Sequence, residues 1–474
     1  MKLLKRVGIS ILSLFFFVII QGQSTDKKAL IHYMGWFGEG ISGRHWSCGQ
    51  AHTPLIGYSS SLSWATQLYH ILLSWSCGID GLVINVKDDY DEECMKTMVQ
   101  TLKHLYEIDH VNFKYDFSIS YDDQGLSNIY DAEEKFIYLR DYILTEPIDF
   151  LEYNGTPAVF AFNYPNEYLT AEDYHTALNN VFSSNTPMLI WNQIETDALG
   201  YANSFYPWVQ PGGTWNGTNW GEAYLDWFYP EISGYATQLD FATGGVWAGF
   251  DDRLNTCWSW DEPRWIDRRD GWVYNKTWEY VNTYSGELPL NWVVIETWND
   301  WNEGTEIEPS IEYGYKYLVS TINNINTFKG SSVSDDTVKF ETLKNIYFSA
   351  DSIEKGLIDS VINYPMLKEN IASFIRENPV ASFSFEEFVK TVQLEIFPNP
   401  AESLMQFDIS IPEATEGLLN ILDLNGCVLQ TIYTGFLPEG NKVIEWDSSS
   451  LSSGMYICSL KTEQSQVVKR IVIL

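Results

Sequence analysis

The sequence of 474 residues predicts an α/β protein with three parts: a (β/α)₈ barrel, a helical segment and a small all-β sandwich. From residue 29 to about 330, short apolar or β-branched runs alternate with longer amphipathic stretches, as expected of βα units around a parallel sheet. After residue 392, short alternating runs are separated by turn residues, which is typical of a β-sandwich. The length also exceeds that of one ordinary compact domain, so at least two domains are expected.

Eight runs in the first part fit the strand pattern, and eight is the number of strands in this kind of barrel. They are residues 29–37, 81–87, 114–121, 158–163, 188–192, 201–209, 241–250 and 292–298. Between the first two runs, apolar residues recur every three or four positions from Trp64 to Trp75, which predicts a covering helix. No glycine-rich G-x-G-x-x-G turn follows the first run, and this weakens the alternative of an open nucleotide-binding sheet.

The chain divides by composition into four segments. Residues 1–24 begin with Lys and Arg and continue with an apolar run, which predicts a signal peptide and export. Residues 25–330 are the predicted barrel, 331–391 a charged helical extension that packs or serves as a spacer, and 392–474 the sandwich. No later run approaches the roughly 20 apolar residues that a membrane span requires.

Charge and cysteine spacing exclude several functions. The formal net charge of −34 makes nucleic acid a poor partner and is compatible with a neutral polymer such as a glycan. Six cysteines without a C-x-x-C pair argue against zinc, and the acidic run 88–93 lacks the ligand spacing of a calcium loop, so we expect neither metal nor cofactor. Cys427 and Cys458 fit either a disulfide or free buried thiols.

Aromatic residues are abundant, with 19 Trp and 29 Tyr. Because the apolar faces of sugar rings stack on aromatic rings, this content favours a carbohydrate ligand, although large barrels also bury aromatic residues. Residues at or near the ends of the predicted strands are candidates for substrate binding. They are Tyr33, Trp36, His45, Trp46, Asp122, Asp123, Asn163, Tyr164, Trp191, Asn192, Trp247, Asp251, Asp252, Trp298, Asn299 and Trp301.

The densest group of acids directly follows the eighth run, at residues 296–308. In a barrel the carboxyl ends of the strands form the catalytic mouth. Glycoside hydrolysis needs one carboxylic acid and a second carboxylate, and Asp300 with Glu303 supplies such a pair. Both can face the mouth if the strand ends near Trp298 and the chain turns, which Gly304 allows. The alternative is that these acids cap a following helix.

Residues 297–305, TWNDWNEGT, resemble the signature of glycoside hydrolase families 71 and 99. Further pieces occur in the expected order at residues 32–37, 45–46, 54–58, 78–81, 121–123 and 269–274. The resemblance covers roughly residues 29–320 and implies that Glu303 is the general acid/base and Asp300 the second catalytic carboxylate. Family 99 usually carries Glu at the first position and family 71 Asp, so Asp300 leaves subfamily and stereochemistry open.

The C-terminal 80 residues resemble another family, the type A C-terminal sorting domain of type IX secretion. The resemblance rests on four pieces in order, at residues 396–401, 422–426, 451–456 and 469–474. It implies a bacterium of the Bacteroidetes group, the type IX secretion machinery as a partner, and release or anchoring at the cell surface. An ordinary sugar-binding β-sandwich is the alternative.

These observations predict an exported glycoside hydrolase that cleaves α-glycosidic bonds within a neutral polysaccharide, an α-mannan or an α-1,3-glucan. Two alternatives remain. One is a surface glycan-binding protein on a degenerate barrel, suggested by the aromatic content and by Glu296, a third acid in the catalytic strand. The other is a barrel that acts in polysaccharide assembly, which the export signals disfavour.

Overall fold

The computed structural model describes residues 27–162, 169–258, 264–286, 288–379, 393–399, 401, 403–411, 414–422, 428–438, 440–462 and 466–473. The predicted signal peptide lies outside these residues. The chain divides into two compact units, Met1–Ala381 and Ser382–Leu474.

The first unit contains a TIM barrel of eight parallel strands, as predicted. Its strands are β1 Lys28–Met34, β2 Gly81–Val86, β3 Asp116–Asp122, β5 Thr156–Phe162, β6 Met188–Asn192, β7 Ser204–Tyr206, β8 Ala242–Val246 and β11 Leu290–Ile295. The short strand β4 Glu152–Tyr153 pairs with β5, and β9 Phe250–Asp251 forms a two-stranded sheet with β10 Trp265–Ile266.

The order of the barrel strands is β7-β6-β5-β3-β2-β1-β11-β8, with parallel hydrogen-bonded neighbours throughout. The two end strands, β7 and β8, meet through side chains, because the Ser204 and Thr243 hydroxyls lie 3.1 Å apart. Gly245 on β8 lies so close to Pro207 that a Cβ there would come within 2.6 Å of the proline ring. These contacts complete a nearly closed barrel.

Helices cover the strands, and polar side chains cap the first turns of five of these helices. They are α1 Trp64–Ser76, α2 Asp89–Asp109, α3 Ile129–Tyr138, α4 Ala171–Val181, α5 Glu222–Gly234, α6 Trp272–Tyr284, α7 Lys316–Lys329, α8 Val338–Glu354 and α9 Ser360–Glu377. The acidic run 88–93 begins α2, where the Asp88 carboxylate accepts hydrogen bonds from the first-turn N–H groups of Tyr90 and Asp91. This acidic run is therefore a helix N-terminus.

Two apolar layers surround the strands. One fills the barrel interior with residues such as Leu30, Val83, Phe160 and Val294, and the other lies between strands and helices. Alternation along each strand assigns neighbouring residues to these two layers. The interior therefore becomes polar only near the carboxyl ends of the strands, where His32 and Glu296 lie.

The helical segment after residue 330 packs on the barrel. Helix α8 contacts α1, and α9 contacts both α2 and α8. The Glu354 carboxylate at the end of α8 accepts hydrogen bonds from the Ser63 hydroxyl and the Trp64 N–H group, at 2.5 and 3.1 Å. This segment thus belongs to the compact unit of the barrel and supplies a cap to α1.

The second unit consists of two antiparallel sheets around its own apolar core. Its strands are β12 Gln393–Phe397, β13 Leu404–Ile411, β14 Thr415–Leu422, β15 Val428–Leu437, β16 Gly440–Asp447, β17 Gly454–Thr462 and β18 Gln466–Ile473. Six of them match predicted strands, whereas β15 was not predicted. Strand β15 lies at a sheet edge with mostly exposed or half-buried residues, so it lacks a clear apolar alternation.

Among the described residues, no helix combines the length and the apolar character needed to cross a membrane.

Candidate active site

A cleft of about 380 Å³ opens at the carboxyl ends of the barrel strands. Each of the eight barrel strands contributes a lining residue at its end or in the segment that follows it. In strand order along the chain, these are Met34, Asn85, Asp122, Phe162, Gln193, Trp208, Phe250 and Asp300. The lining thus combines polar groups with rings, as expected of a ligand site at this end of a barrel.

The segment after β11 turns back on itself and presents two acids to the cleft. The Thr297 hydroxyl accepts a hydrogen bond from the Asp300 N–H at 2.8 Å, and the Asp300 carboxylate accepts one from the Glu303 N–H at 3.1 Å. Gly304 follows with φ of +59°, and a Cβ there would crowd the Asp251 backbone. Asp300 and Glu303 therefore both line the cleft, as the turn in the chain was expected to allow.

The other three acids of residues 296–308 are not in the cleft lining but bind buried or half-buried histidines. Each carboxylate lies within hydrogen-bond distance of an imidazole from a distant part of the chain. The three pairs are His32–Glu296 at 2.9 Å, His52–Glu306 at 2.8 Å and His70–Glu308 at 3.0 Å. Histidine pairing thus separates three structural acids from the two acids that face the ligand space.

The two cleft acids both bind protons more tightly than usual. Burial raises the pKa of Asp300 well above its usual range, and the nearby Glu303 carboxylate raises it further. Burial also raises the pKa of Glu303 to about 7, although the Arg264 guanidinium, 3.7 Å from its carboxylate, acts in the opposite direction. Because the two groups interact, they titrate as a pair that holds a proton near neutral pH.

Arg264 connects this pair with another acid. Its guanidinium lies 2.6 Å from the Asp252 carboxylate and packs over the Trp215 and Phe250 rings. Asp252 itself raises the pKa of Glu303. The cation is therefore placed to compensate one ionised acid while leaving Glu303 able to exchange its proton.

An aromatic wall borders the two acids. The Trp36 and His45 rings stack with centroids 5.1 Å apart and planes 18° apart, and the Trp258 ring lies 5.3 Å from His45. Burial, together with the Arg44 charge, lowers the pKa of His45 to about 4, so this ring is neutral at physiological pH. The Asn302 amide donates to the His45 carbonyl at 3.0 Å and thus joins the wall to the catalytic turn.

A disulfide joins two loops at this wall. Cys48, after β1, is bonded to Cys257, after β9, and the Thr256 N–H donates to the Cys48 carbonyl at 2.7 Å. The sequence did not predict this bridge, because its cysteines are 209 residues apart. In the second unit Cys458 is a buried free thiol, and Cys427 lies outside the described residues.

The structure brings five predicted site residues together in the cleft: Trp36, His45, Asp122, Asp300 and Glu303. The Asp122 carboxylate accepts hydrogen bonds from the Asn85 amide at 3.3 Å and the Gln124 N–H at 3.0 Å. Asn163 and Tyr164 lie outside the described residues.

Most other candidates are buried away from the cleft. Tyr33 and Trp191 point out of the barrel because they alternate with the inward residues His32 and Asn192, and Tyr33 contacts His70. The remaining buried candidates are Trp46, Asp123, Asn192, Trp247, Trp298, Asn299 and Trp301. Of these, Trp46 packs on Phe37, Trp298 packs against His70, Trp247 is hydrogen-bonded to the Trp220 carbonyl, Asn299 to the Met34 backbone and Trp301 to Glu308. The rings and polar groups of these five residues serve packing and loop structure.

Asp251 and Asp252 occupy the edge of the site without lining the cleft. The Asp251 carboxylate binds the Arg253 side chain at 2.7 Å, and its N–H donates to the Glu303 carbonyl at 2.5 Å. Asp252 binds Arg264, as described above. Both aspartates therefore act on the catalytic turn from a neighbouring loop.

Several cleft residues were not predicted. Trp208 ends the sixth predicted strand and follows the same rule as the chosen candidates, so position alone was sufficient to find it. Arg264 and Trp258 lie in the long connection after β8, which carried no pattern that marks them. Asp91 lines the cleft from α2, where burial raises the pKa of its carboxyl to about 7.

Among the described residues, no group of three or more His, Cys, Asp or Glu side chains is arranged to hold a metal ion.

The fold and the site define an α/β barrel with two interacting carboxyl groups in its mouth. Among solved structures, the chain is similar to the GH99 endo-α-mannosidase from Bacteroides thetaiotaomicron, with 17% identity and a TM-score of 0.52 over 64% of this chain and 98% of that chain. The structure of that enzyme in complex with bis-tris-propane is 18% identical, with a TM-score of 0.51 over 64% of this chain and 97% of that chain. A structure described as a glycoside hydrolase-like protein is 13% identical, with a TM-score of 0.51 over 63% of this chain and 94% of that chain. These similarities confirm the predicted fold.

The second unit matches the family model described as secretion system C-terminal sorting domain, over residues 395–474. This confirms the resemblance of the tail, and such a domain marks proteins that type IX secretion exports to the cell surface or the extracellular space. No curated protein matches the chain.

Proposed function

We propose that this protein is a glycoside hydrolase that cleaves α-glycosidic bonds within a neutral polysaccharide, an α-mannan or an α-1,3-glucan. The observation that carries this proposal is the Asp300–Glu303 pair, which faces a cleft built from the ends of all eight barrel strands. Paired carboxyl groups at such a cleft are what glycoside hydrolysis requires.

Glu303 acts as the general acid and then as the general base. Its side chain is 19% exposed, so it can reach the glycosidic oxygen of a bound chain and later a water molecule. A pKa of about 7 keeps a substantial protonated fraction at neutral pH, as a general acid requires. Arg264 stabilises the carboxylate after the proton has been donated.

Asp300 is the second catalytic carboxyl group. It is 2% exposed and lies deeper than Glu303, where it can act on the sugar ring as a nucleophile or as a base toward a ring hydroxyl. The Glu303 N–H donates to the Asp300 carboxylate, the Asp300 N–H donates to the Thr297 hydroxyl, and the two bonds hold the residue in place. Because its pKa is also raised, Asp300 competes with Glu303 for the shared proton, and the reaction begins from the state in which Glu303 carries the proton and Asp300 is ionised.

Substrate binding uses rings and neutral polar groups. The Trp36, Trp208, Trp215 and Trp258 rings line the cleft and offer surfaces on which sugar rings stack. Asp122, Asn85 and Gln193 offer hydrogen-bonding groups at the floor. The similarity in fold to an endo-α-mannosidase supports attack within the polymer and an α-linked substrate. No cofactor is needed for this chemistry.

Product release from a panel of α-mannans and α-1,3-glucans tests the proposal. The purified full-length protein should release short oligosaccharides from one polymer, and Glu303→Gln should not, although the variant still folds and unfolds cooperatively. Glu312→Gln is the matched control, because Glu312 is an exposed acid close in sequence, and it should keep full activity.

The glycan-binding alternative shares the ring-lined cleft and would show polymer binding without product release. One observation that suggested this alternative no longer supports it, because Glu296 is not an additional acid in the cleft but the partner of His32. Activity retained in Glu303→Gln would remove the proposed role of that residue, and binding without release by the unaltered protein would favour the alternative.

A further inference from the structure

Near the cleft floor, the His32 and Glu296 side chains form a hydrogen-bonded pair inside the barrel. The imidazole Nδ1 and the carboxylate Oε2 are 2.9 Å apart, and the two side chains are 1% and 0% exposed. His32 belongs to β1, and Glu296 directly follows the neighbouring strand β11. The proposed chemistry of Asp300 and Glu303 does not use either residue.

This pair differs from the two other histidine–glutamate pairs of the loop in its histidine, which has an unused ring nitrogen. In the other pairs both ring nitrogens contact protein groups, which are Glu308 and Tyr33 for His70, and Glu306 and Tyr313 for His52. By contrast, His32 Nε2 is buried without a hydrogen-bond partner among the described residues, as is Glu296 Oε1. Buried polar atoms nearly always have partners, so these two atoms are available to ordered water.

The neighbours of the pair are groups that line the cleft. The edge of the His32 ring packs against Trp208, with centroids 5.2 Å apart and planes at 84°. Burial raises the pKa of the neighbouring Asp122 carboxyl, whereas the backbone hydrogen bond from Gln124, the Lys87 charge, the Asn85 amide and, least of these, the His32 imidazole lower it. Trp208 and Asp122 both face the ligand space, whereas His32 itself does not.

We propose that His32 and Glu296 are positioning residues that hold Trp208 in the cleft floor and thereby orient the sugar ring that is presented to Asp300. The proposal rests on the proposed function. Glu296 fixes the imidazole through Nδ1, and the ring in turn packs against the tryptophan. A carboxylate that orients a histidine behind a reactive group is a common arrangement in enzyme sites.

The test compares two equivalent substitutions in the full-length protein. Glu296→Gln removes the charge from the pair below the cleft, and Glu308→Gln does the same to the His70 pair, which contacts Tyr33 and Trp301 instead of cleft residues. Both should lower the melting temperature. Only Glu296→Gln should lower kcat on the polysaccharide, by about 10- to 100-fold as expected for a misplaced substrate, with a smaller change in KM.

Crystal structures of both variants provide a readout that needs no activity. The Trp208 side chain should shift in Glu296→Gln and keep its position in Glu308→Gln. An unmoved Trp208 side chain in Glu296→Gln, or equal losses of kcat in the two variants, would overturn the proposal. If the unaltered protein cleaves no polymer, the proposed function fails, and the position of this side chain still decides the role of the pair.

Discussion

Acidic side chains have different partners at the two ends of the barrel. At the amino ends of the strands, two half-buried acids have lysine partners: Asp116 lies 2.5 Å from Lys28, and Asp80 lies 2.6 Å from Lys329. At the carboxyl ends, Asp300 lies beside another acid, Glu303. The first arrangement compensates charge and stabilises the fold, whereas the second leaves charge that is costly to bury.

The difference shows that stability is lower at the carboxyl ends of the strands, where the catalytic acids lie. Burial raises the pKa of Asp116 only to about 6 because Lys28 lowers it, so this acid is ionised at neutral pH, whereas two acids that share a cleft retain a proton there and can exchange it. Sequence alone does not separate the two situations, because both ends contain aspartates close to predicted strands. Substitutions at the two ends should therefore separate loss of activity from loss of stability.

The largest effect is expected for Glu303→Gln at the carboxyl end. Loss of the general acid should lower kcat by about 10²- to 10⁴-fold. The free energy of unfolding, by contrast, should increase. Because the folded pKa of about 7 exceeds the usual 4.5, Glu303 makes the unaltered protein lose stability as pH rises from 4.5 to 7, and the variant lacks this contribution while it keeps that of Asp300.

Melting curves between pH 4.5 and 8 measure this difference. As pH rises, the free energy of unfolding of the variant should increase relative to that of the unaltered protein, by up to about 3 kcal/mol above pH 7. A difference that is constant with pH would contradict the raised pKa of Glu303.

Lys28→Met at the amino end should have the reverse effects: a loss of stability without a loss of activity. It leaves the Asp116 carboxyl without its cation, and the half-buried position of the pair suggests a loss of about 1–3 kcal/mol in the free energy of unfolding. The value of kcat should not change. Urea denaturation measures the loss, and Lys96→Met, which breaks an exposed pair with Glu93, is the control with little effect. A fall in kcat without a loss of stability would contradict the assignment of this end to folding.

Arg264→Gln should move the pH profile of activity. The guanidinium lowers the pKa of Glu303, so its removal raises that pKa and shifts the alkaline limb of kcat/KM upward, by about one pH unit. Arg253→Gln is a control, since Arg253 binds Asp251 and packs over Trp265 nearby. An unchanged or downward-shifted alkaline limb in Arg264→Gln would show that this cation does not act on the general acid.

The smallest effect is expected on the outer surface of the barrel. Glu354→Gln weakens the cap that α8 provides to α1 and should cost about 1 kcal/mol or less. Thermal melting measures this, with Glu369→Gln, in an exposed pair on α9, as the control. No loss of stability would mean that the helical segment adds little to the barrel through this contact.

The barrel and its catalytic turn could be predicted because they depend on local patterns. Apolar runs specify the strands, and the acids follow the last strand directly in the chain. The choice between cleft acids and structural acids depends on contacts over long distances, since His32 and Glu296 are 264 residues apart. The same is true of the bond between Cys48 and Cys257.

The tryptophans show the second reason why prediction failed. A strand-end tryptophan faces the cleft or the helices according to the alternation of the strand, and a shift of one residue reverses the assignment. Trp191 thus points outward to the helix layer, and Trp208, which was not selected, reaches the cleft. Composition indicated rings for sugar binding but did not indicate which ones.

The central claim is that Glu303 donates the proton and Asp300 acts on the sugar. Rates on a polysaccharide and on an aryl oligosaccharide with a good leaving group test it most directly, because such a leaving group needs no proton. Glu303→Gln should lose the polysaccharide activity and still release the aryl group, whereas Asp300→Asn should lose both. Near-normal rates on both substrates in either variant would contradict the account.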